Sequence, residues 1–347
     1  MNSDFFIYKL SPLLNELGFQ ISEVRENQTA TAYLNVGAVQ VPFFIKFSED
    51  AVGVTGSDVK VFFAELNVES AKIKGLKGLY IVSHFYTDDA YNSAEELGIA
   101  LSTYEELLNS TVNFTDYLKS VISDHEYSKQ NNLYVYQNVR NLKGEFIPVE
   151  TEFEKWIEDS AKNIFFVLGE SGLGKTTFSR QFSYSLASIY LGEPTGIPAP
   201  IYIQLKHYKK SMSIANLIIY HLFNVHNLQL RSFNVFSRLL NEGRILLILD
   251  GLDEYINDPT SYEAELFLQE LFSIAGGKAK IVITSQPDYI LYNPEDASEK
   301  NIQASKIFER FMNKTNYSIM YLRPFNTDQI KTYIKSKSGI ENKTFLK

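Results

Sequence analysis

With 347 residues, 45% of them hydrophobic, the chain is long enough for two domains with separate cores, and this composition excludes disorder throughout. A formal charge of -8 argues against a protein that coats nucleic acid by bulk electrostatics, although a local basic face is compatible with an acidic total. The absence of cysteine excludes disulfides, thiolate zinc sites and cysteine nucleophiles, and it suits a reducing cytoplasm, the location expected here.

Asp4, Lys9 and Glu16 interrupt the apolar positions of residues 1–20, so no signal-peptide core is present. No run of about 18 uncharged apolar residues follows, and no membrane partner is expected. A short amphipathic helix is predicted from Phe5 to Leu17, stopped by Gly18. Thr29–Val36 and Val39–Phe47 read as a hairpin turning at Gly37. Ser57–Leu66 suits a helix and Gly78–Ser83 a buried strand. Thr87 caps a helix running to Leu97, with Asp88 and Asp89 in its first turn and Gly98 as its stop, before a short strand Ile99–Leu101.

From Ser110 to Ile147 the chain is polar and irregular, with His125–Asn132 the expected exposed connector. The domains are therefore set at 1–110, a linker at 111–133, a second domain at 134–325 opening with Tyr134-Val135-Tyr136, and 326–347 beyond it. Val149–Ser160 forms an amphipathic helix with Phe153, Trp156 and Ile157 on one side.

Asn163–Leu168 is an apolar strand that runs into Gly169-Glu170-Ser171-Gly172-Leu173-Gly174-Lys175-Thr176-Thr177. Gly169, Gly174, Lys175 and Thr176 meet the phosphate-loop pattern, and an apolar helical face follows at Phe178, Phe182, Tyr184, Leu186 and Ala187. Glycines let successive amides turn inward toward phosphate oxygens, while the helix start adds its positive dipole end. Lys175 then reaches the β- and γ-phosphates, and Thr176 offers its hydroxyl to Mg2+.

Gly192–Pro200 is a loop leading to a strand Ile201–Leu205, and Ile214–Phe223 and Ser232–Leu240 look helical. A third strand, Arg244–Leu249, is followed by a helix Tyr262–Ala275 and a fourth strand Lys280–Thr284. This alternation predicts a parallel sheet with helices on both faces. The third strand ends in Asp250-Gly251-Leu252-Asp253-Glu254, and ligands of open parallel sheets bind at the carboxyl ends of strands. Asp250 is thus the second Mg2+ ligand, opposite Thr176, and either Asp253 or Glu254 orients or deprotonates the attacking water. Thr284 and Ser285 end the fourth strand, where hydroxyls can sense a γ-phosphate, and Pro287 stops it.

The loop Gly169–Thr177, the stretch Leu246–Glu254 and Thr284-Ser285-Gln286-Pro287 together resemble the NACHT family, STAND-class signal-transducing P-loop NTPases, over roughly 134–347. Tyr134-Val135 resembles the family's entry segment. Tyr321-Leu-Arg-Pro-Phe325 with the helix Thr327–Lys335 resembles the start of its small helical domain. The resemblance implies ATP as the nucleotide, phosphate and Mg2+ contacts through Lys175, Thr176 and Asp250, and hydrolysis supported by Asp253 and Glu254. Two departures stand out: Gln286 replaces the family's usual arginine and cannot neutralise a phosphate, and family members continue into a winged helix and a repeat sensor where this chain stops at Lys347. Either the chain is a fragment or sensing lies elsewhere.

The order of elements in 1–110 resembles the restriction-endonuclease-like fold, Mrr-type branch. Such nucleases seat a metal between an acid on one hairpin strand and an acidic-x-Lys triplet on the next. Here the triplet is Phe44-Ile45-Lys46 and the preceding strand offers only Asn35, so an inactive module is expected. The fold class is then α/β, a parallel-sheet P-loop NTPase domain preceded by a smaller restriction-endonuclease-like domain. The resemblance implies a nucleotide-controlled switch with slow ATP hydrolysis and homo-oligomerisation on activation. Its N-terminal effector or adaptor would meet a nucleic acid or protein partner in prokaryotic antiphage defence. A metal-dependent nuclease coupled to an ATPase is the alternative, and would recruit Glu49, Asp50, Asp58 or Glu65. A small-molecule kinase would need an arginine-rich lid, which Asn257–Tyr262 lacks.

Overall fold

Two β-sheets organise the chain in a computed structural model that describes residues 6–49, 52–123, 134–140, 146–192, 197–209, 212–228, 232–256, 262–290, 299–312 and 316–338. The chain divides into two units, Met1–Asn113 and Phe114–Lys347, each with its own sheet. Among the described residues no helix is long and apolar enough to cross a membrane.

In the first unit β1 (Phe19–Arg25), β2 (Thr29–Val36), β3 (Val39–Ser48), β4 (Lys77–Val82) and β5 (Ala100–Thr103) lie side by side in that order. The first three pair antiparallel and the last three parallel. Gly37, at φ +61°, makes the predicted turn between β2 and β3. The helix Gly56–Ser70 opens on a capping box in which Thr55 and Asp58 satisfy each other's backbone amides, and Gly98 ends the helix Asp88–Leu97 in the left-handed conformation. Phe44 and Tyr80 pack on Phe62, which ties β3 and β4 to the helix Gly56–Ser70. Strand β1 and the helix Tyr104–Ser110 extend the predicted set.

The second unit carries seven strands: β6 (Asn138–Arg140), β7 (Phe146–Pro148), β8 (Ile164–Leu168), β9 (Ala199–Gln204), β10 (Ile245–Asp250), β11 (Lys280–Ser285) and β12 (Tyr317–Leu322). Their order is β7-β6-β12-β8-β11-β10-β9. The expectation of a parallel sheet holds for the five from β12 to β9, whereas β6 and β7 add antiparallel strands at one edge and make the sheet mixed. Every residue of β8, β10 and β11 is buried. That is why these strands read as continuous apolar runs: a parallel strand covered on both faces gains about 1.5–3 kcal/mol for each large side chain removed from water.

The stretch 111–133, expected as a linker, includes a helix Thr115–Ser123 that buries Tyr117, Leu118 and Val121 and packs against the helix Lys175–Gly192. Its connector His125–Asn132 lies outside the described residues, as do 257–261 of the stretch weighed as a kinase lid. The predicted helix after Thr327 runs to Ser338. A helix Glu299–Met312 and the strand β12 were not predicted, and β12 proves to be one of the two neighbours of the phosphate-loop strand.

Candidate functional site

The order of strands decides what meets what. β11 sits between β8 and β10, so the glycine loop after β8 and Asp250 at the end of β10 flank the end of β11. The amide of Gly169 donates to the carbonyl of Ser285 at 3.1 Å, which fixes the loop's first residue to that strand.

Within the loop Gly172 and Gly174 have φ of +82° and +89°, a region that penalises side chains. A Cβ at Gly172 would touch nothing within 4 Å, so backbone conformation and not space demands the glycine there. Buried Gln137 braces the turn from beneath, donating from Nε2 to the carbonyl of Leu173 at 2.8 Å. The helix Lys175–Gly192 starts at the loop's end, and the Lys175 ammonium donates back to the carbonyls of Gly169 at 2.6 Å and Glu170 at 3.2 Å. Glu170, Ser171, Gly172 and Thr177 are exposed, while Leu173, Gly174, Lys175 and Thr176 are half-buried.

Asp250 is 2% exposed and receives three hydroxyls. Thr284 donates to its Oδ1 at 2.7 Å, Ser179 to the same oxygen at 3.4 Å and Tyr202 to Oδ2 at 3.2 Å. The helix that begins at Lys175 thus reaches this carboxylate through Ser179, one turn beyond Thr176. Thr284 and Ser285, expected together as sensor hydroxyls, part company. Thr284 is committed to Asp250 and to the amide of Gly251 at 2.8 Å, whereas the buried Ser285 Oγ has no partner among the described residues.

The two acids left open also separate. Gly251, at φ +83°, turns the chain into a short helix Leu252–Tyr255. This buries Asp253, whose Oδ1 has no partner among the described residues, and leaves Glu254 exposed. The orphaned Oγ of buried Ser285, whose carbonyl holds the Gly169 amide, is what a phosphate would satisfy, and the buried Asp250 carboxylate is what its metal would, so the residues present fit both groups.

Beside the loop lies a cavity of about 500 Å3, lined by Gly172 and Leu173 and by Tyr134, Arg323, Phe325 and Tyr333. Burial, with Glu150 adding to it, pushes the Tyr134 phenol well above its ordinary range, so it stays protonated. The sequence marked Tyr134 and Phe325 only through family resemblance, and it gave no sign of Gln137, Ser179 or Tyr202, whose roles depend on tertiary register.

In the first unit Lys46 donates to Glu65 at 3.2 Å and to the carbonyl of Asn27 at 3.3 Å. Asn35 pairs with Gln40 near the hairpin tip, six residues along β2 from Thr29, the partner of Lys46. The asparagine is therefore about 20 Å from the lysine and cannot share a site with it. Among the described residues no group of three or more His, Asp or Glu side chains could hold a metal ion.

The chain is similar to several known proteins. An uncharacterized WD repeat-containing protein of Nostoc sp. is 24% identical over 305 residues, covering 80% of this chain and 20% of that protein. A disease resistance-like protein of Arabidopsis thaliana is 25% identical over 157 residues, covering 39% of this chain and 12% of that protein. The chain spans no more than a fifth of the length of either relative. A Walker-type ATPase of Pyrococcus abyssi, of known structure, shares 12% identity over 59% of this chain and 61% of that chain, with a TM-score of 0.32. The NACHT domain model matches residues 163–338, more than half of the chain, from the strand before the glycine loop to the helix after Phe325. With its phosphate loop, strand-end aspartate and intervening strand in place, the chain belongs to the NACHT family of P-loop NTPases.

Proposed function

We propose that the protein is an ATP-binding, signal-transducing switch of the STAND class, with Gly169–Thr177 holding the phosphates and Thr176 and Asp250 holding Mg2+. The observation that carries this is the convergence, at the ends of β8, β11 and β10, of an open glycine turn, the Asp250 carboxylate and the orphaned oxygens of Ser285 and Asp253. Bound magnesium would supply positive charge to the β- and γ-phosphates. Lys175, already folded over the loop, adds a second cation, and the Ser285 hydroxyl is available to the γ-phosphate. Asp253 is better placed than Glu254 to orient a water, because its carboxylate is buried with one oxygen unpartnered. Gln286 brings no charge where the family has arginine, so hydrolysis is slow and serves to reset the switch. The aromatic cavity beside the loop suits a nucleobase.

In this reading residues 1–110 are a restriction-endonuclease-like module of Mrr type that does not cut. Lys46 pairs with Glu65, one of the acids the nuclease alternative would recruit, so this part of the reading rests on the sequence, in which neither Phe44-Ile45-Lys46 nor the strand before it carries an acid. Nucleotide state then sets the arrangement of this effector or adaptor, through homo-oligomerisation, in a cytoplasmic antiphage response. The name of the Arabidopsis relative, a disease resistance-like protein, agrees with a defence role. Light scattering with Mg2+ and ADP, ATP or a non-hydrolysable analogue tests the whole proposal. A larger species with ATP or the analogue is expected; identical mass in every nucleotide, with no nucleotide bound, would overturn it.

A further inference from the structure

We propose that Tyr202 is a positioning residue for the metal carboxylate Asp250 and that Tyr117 holds it from behind; this rests on the nucleotide and magnesium reading given above. A carboxylate held at one oxygen can swing about that contact, and one held at both cannot. Thr284 fixes Oδ1 at 2.7 Å, and Tyr202 is the donor to Oδ2, at 3.2 Å. Ser179, at 3.4 Å the longest of the three contacts, returns to the oxygen that Thr284 already holds and so leaves Oδ2 to Tyr202. A carboxylate has about four acceptor positions, so three hydroxyls leave one for a metal-bound water. The direction in which that remaining position points is set by the Thr284 and Tyr202 contacts together.

Tyr202 needs its own anchor because β9 is an edge strand of the seven-stranded sheet. Its amide donates not to a neighbouring strand but to the phenol oxygen of Tyr117, at 3.1 Å. Tyr117 is 2% exposed and sits on the helix Thr115–Ser123, which opens the second unit. Its ring meets His226 edge-on with centroids 4.8 Å apart, which fixes the phenol in place. The chain Tyr117, Tyr202, Asp250 therefore runs from the first helix of the nucleotide unit to the metal carboxylate, each link a hydrogen bond of backbone or side chain.

Groups that orient a metal ligand without touching the metal typically change metal affinity by about 10- to 100-fold when removed. The test is titration of the full chain with a fluorescent ADP analogue, first in EDTA and then against Mg2+. Tyr202→Phe is expected to raise the half-saturating Mg2+ concentration by about 10-fold or more while leaving metal-free affinity within about 2-fold. Tyr117→Phe keeps every contact to Asp250 and is expected to shift the Mg2+ midpoint in the same direction by less. A Mg2+ midpoint in Tyr202→Phe that matches the wild type overturns the inference, as does an equal loss of metal-free affinity, which would mark a folding defect. If the wild-type chain binds no nucleotide, the proposed function falls; if it binds with a midpoint insensitive to Tyr202, only this inference does.

Discussion

The hydroxyl of Thr284 donates to Asp250 Oδ1 at 2.7 Å and accepts the amide of Gly251 at 2.8 Å, so one β11 side chain holds the last residue of β10 and the one after it. Thr284 is fully buried, and water cannot replace either bond. Thr284→Val keeps the shape, orphans the Gly251 amide and leaves Asp250 Oδ1 with only the longer Ser179 contact, which costs about 1–3 kcal/mol. Urea denaturation should show that loss, and Thr284→Ser should recover most of it. A valine variant as stable as the wild type would mean that the pair is geometric only.

Lys175 carries a different kind of prediction, because its bonds to Gly169 and Glu170 hold the ammonium over the loop and can be exchanged for phosphate oxygens. Charge-assisted contacts are worth about 1.5–3 kcal/mol, so Lys175→Ala should weaken nucleotide binding by about 10-fold or more. Calorimetric titration with Mg·ADP reads this directly. Unchanged affinity would remove the loop from the binding site.

The legible part of this site was local in sequence. Glycine spacing, the apolar runs of β8, β10 and β11, and the acids after Leu249 announce themselves over fewer than ten residues each. The helix Thr115–Ser123 did not, since its three buried residues sit among polar neighbours and resemble a linker until Tyr117 finds the edge of β9. Strand β12 was hidden because Tyr317–Leu322 adjoins the segment whose family resemblance pointed to the helix after it. The contacts of Tyr202 and Ser179 with Asp250 depend on strand register and helix rotation, which no local pattern encodes.

A pH dependence follows from His221, which lies buried against Tyr208, whose phenol oxygen is 2.6 Å from its Nδ1. Burial, reinforced by His226, pushes His221 down to about 3, and burial pushes the Tyr208 phenol up to about 12. Both side chains are therefore neutral in the fold. A histidine whose folded value is depressed stabilises the protein above its unfolded value near 6.5, and that stability is lost as pH falls from there toward 3. At pH 5.5 the loss is on the order of 1 kcal/mol. Denaturant unfolding at pH 7.5 and 5.5 should show it in the wild type and a smaller difference in His221→Asn. His226, also depressed by burial, contributes in the same direction and remains in the variant.

Asp253 and Glu254 are adjacent in sequence but differ in surroundings, and that difference assigns their weights. Asp253 is 6% exposed with Oδ1 lacking a partner among the described residues, whereas Glu254 faces solvent. A group that orients water at a γ-phosphate contributes typically about 100- to 10,000-fold to the rate, and only a carboxylate facing the site can do so. Asp253→Asn is isosteric and should slow phosphate release by about 100-fold or more, with Mg·ATP affinity nearly unchanged. Glu254→Gln should have a much smaller effect, because solvent already competes for its carboxylate. Single-turnover release of phosphate, paired with a binding titration on each variant, separates the two. A slow Glu254→Gln beside a wild-type-like Asp253→Asn would reverse the assignment and imply that the short helix Leu252–Tyr255 turns when nucleotide binds.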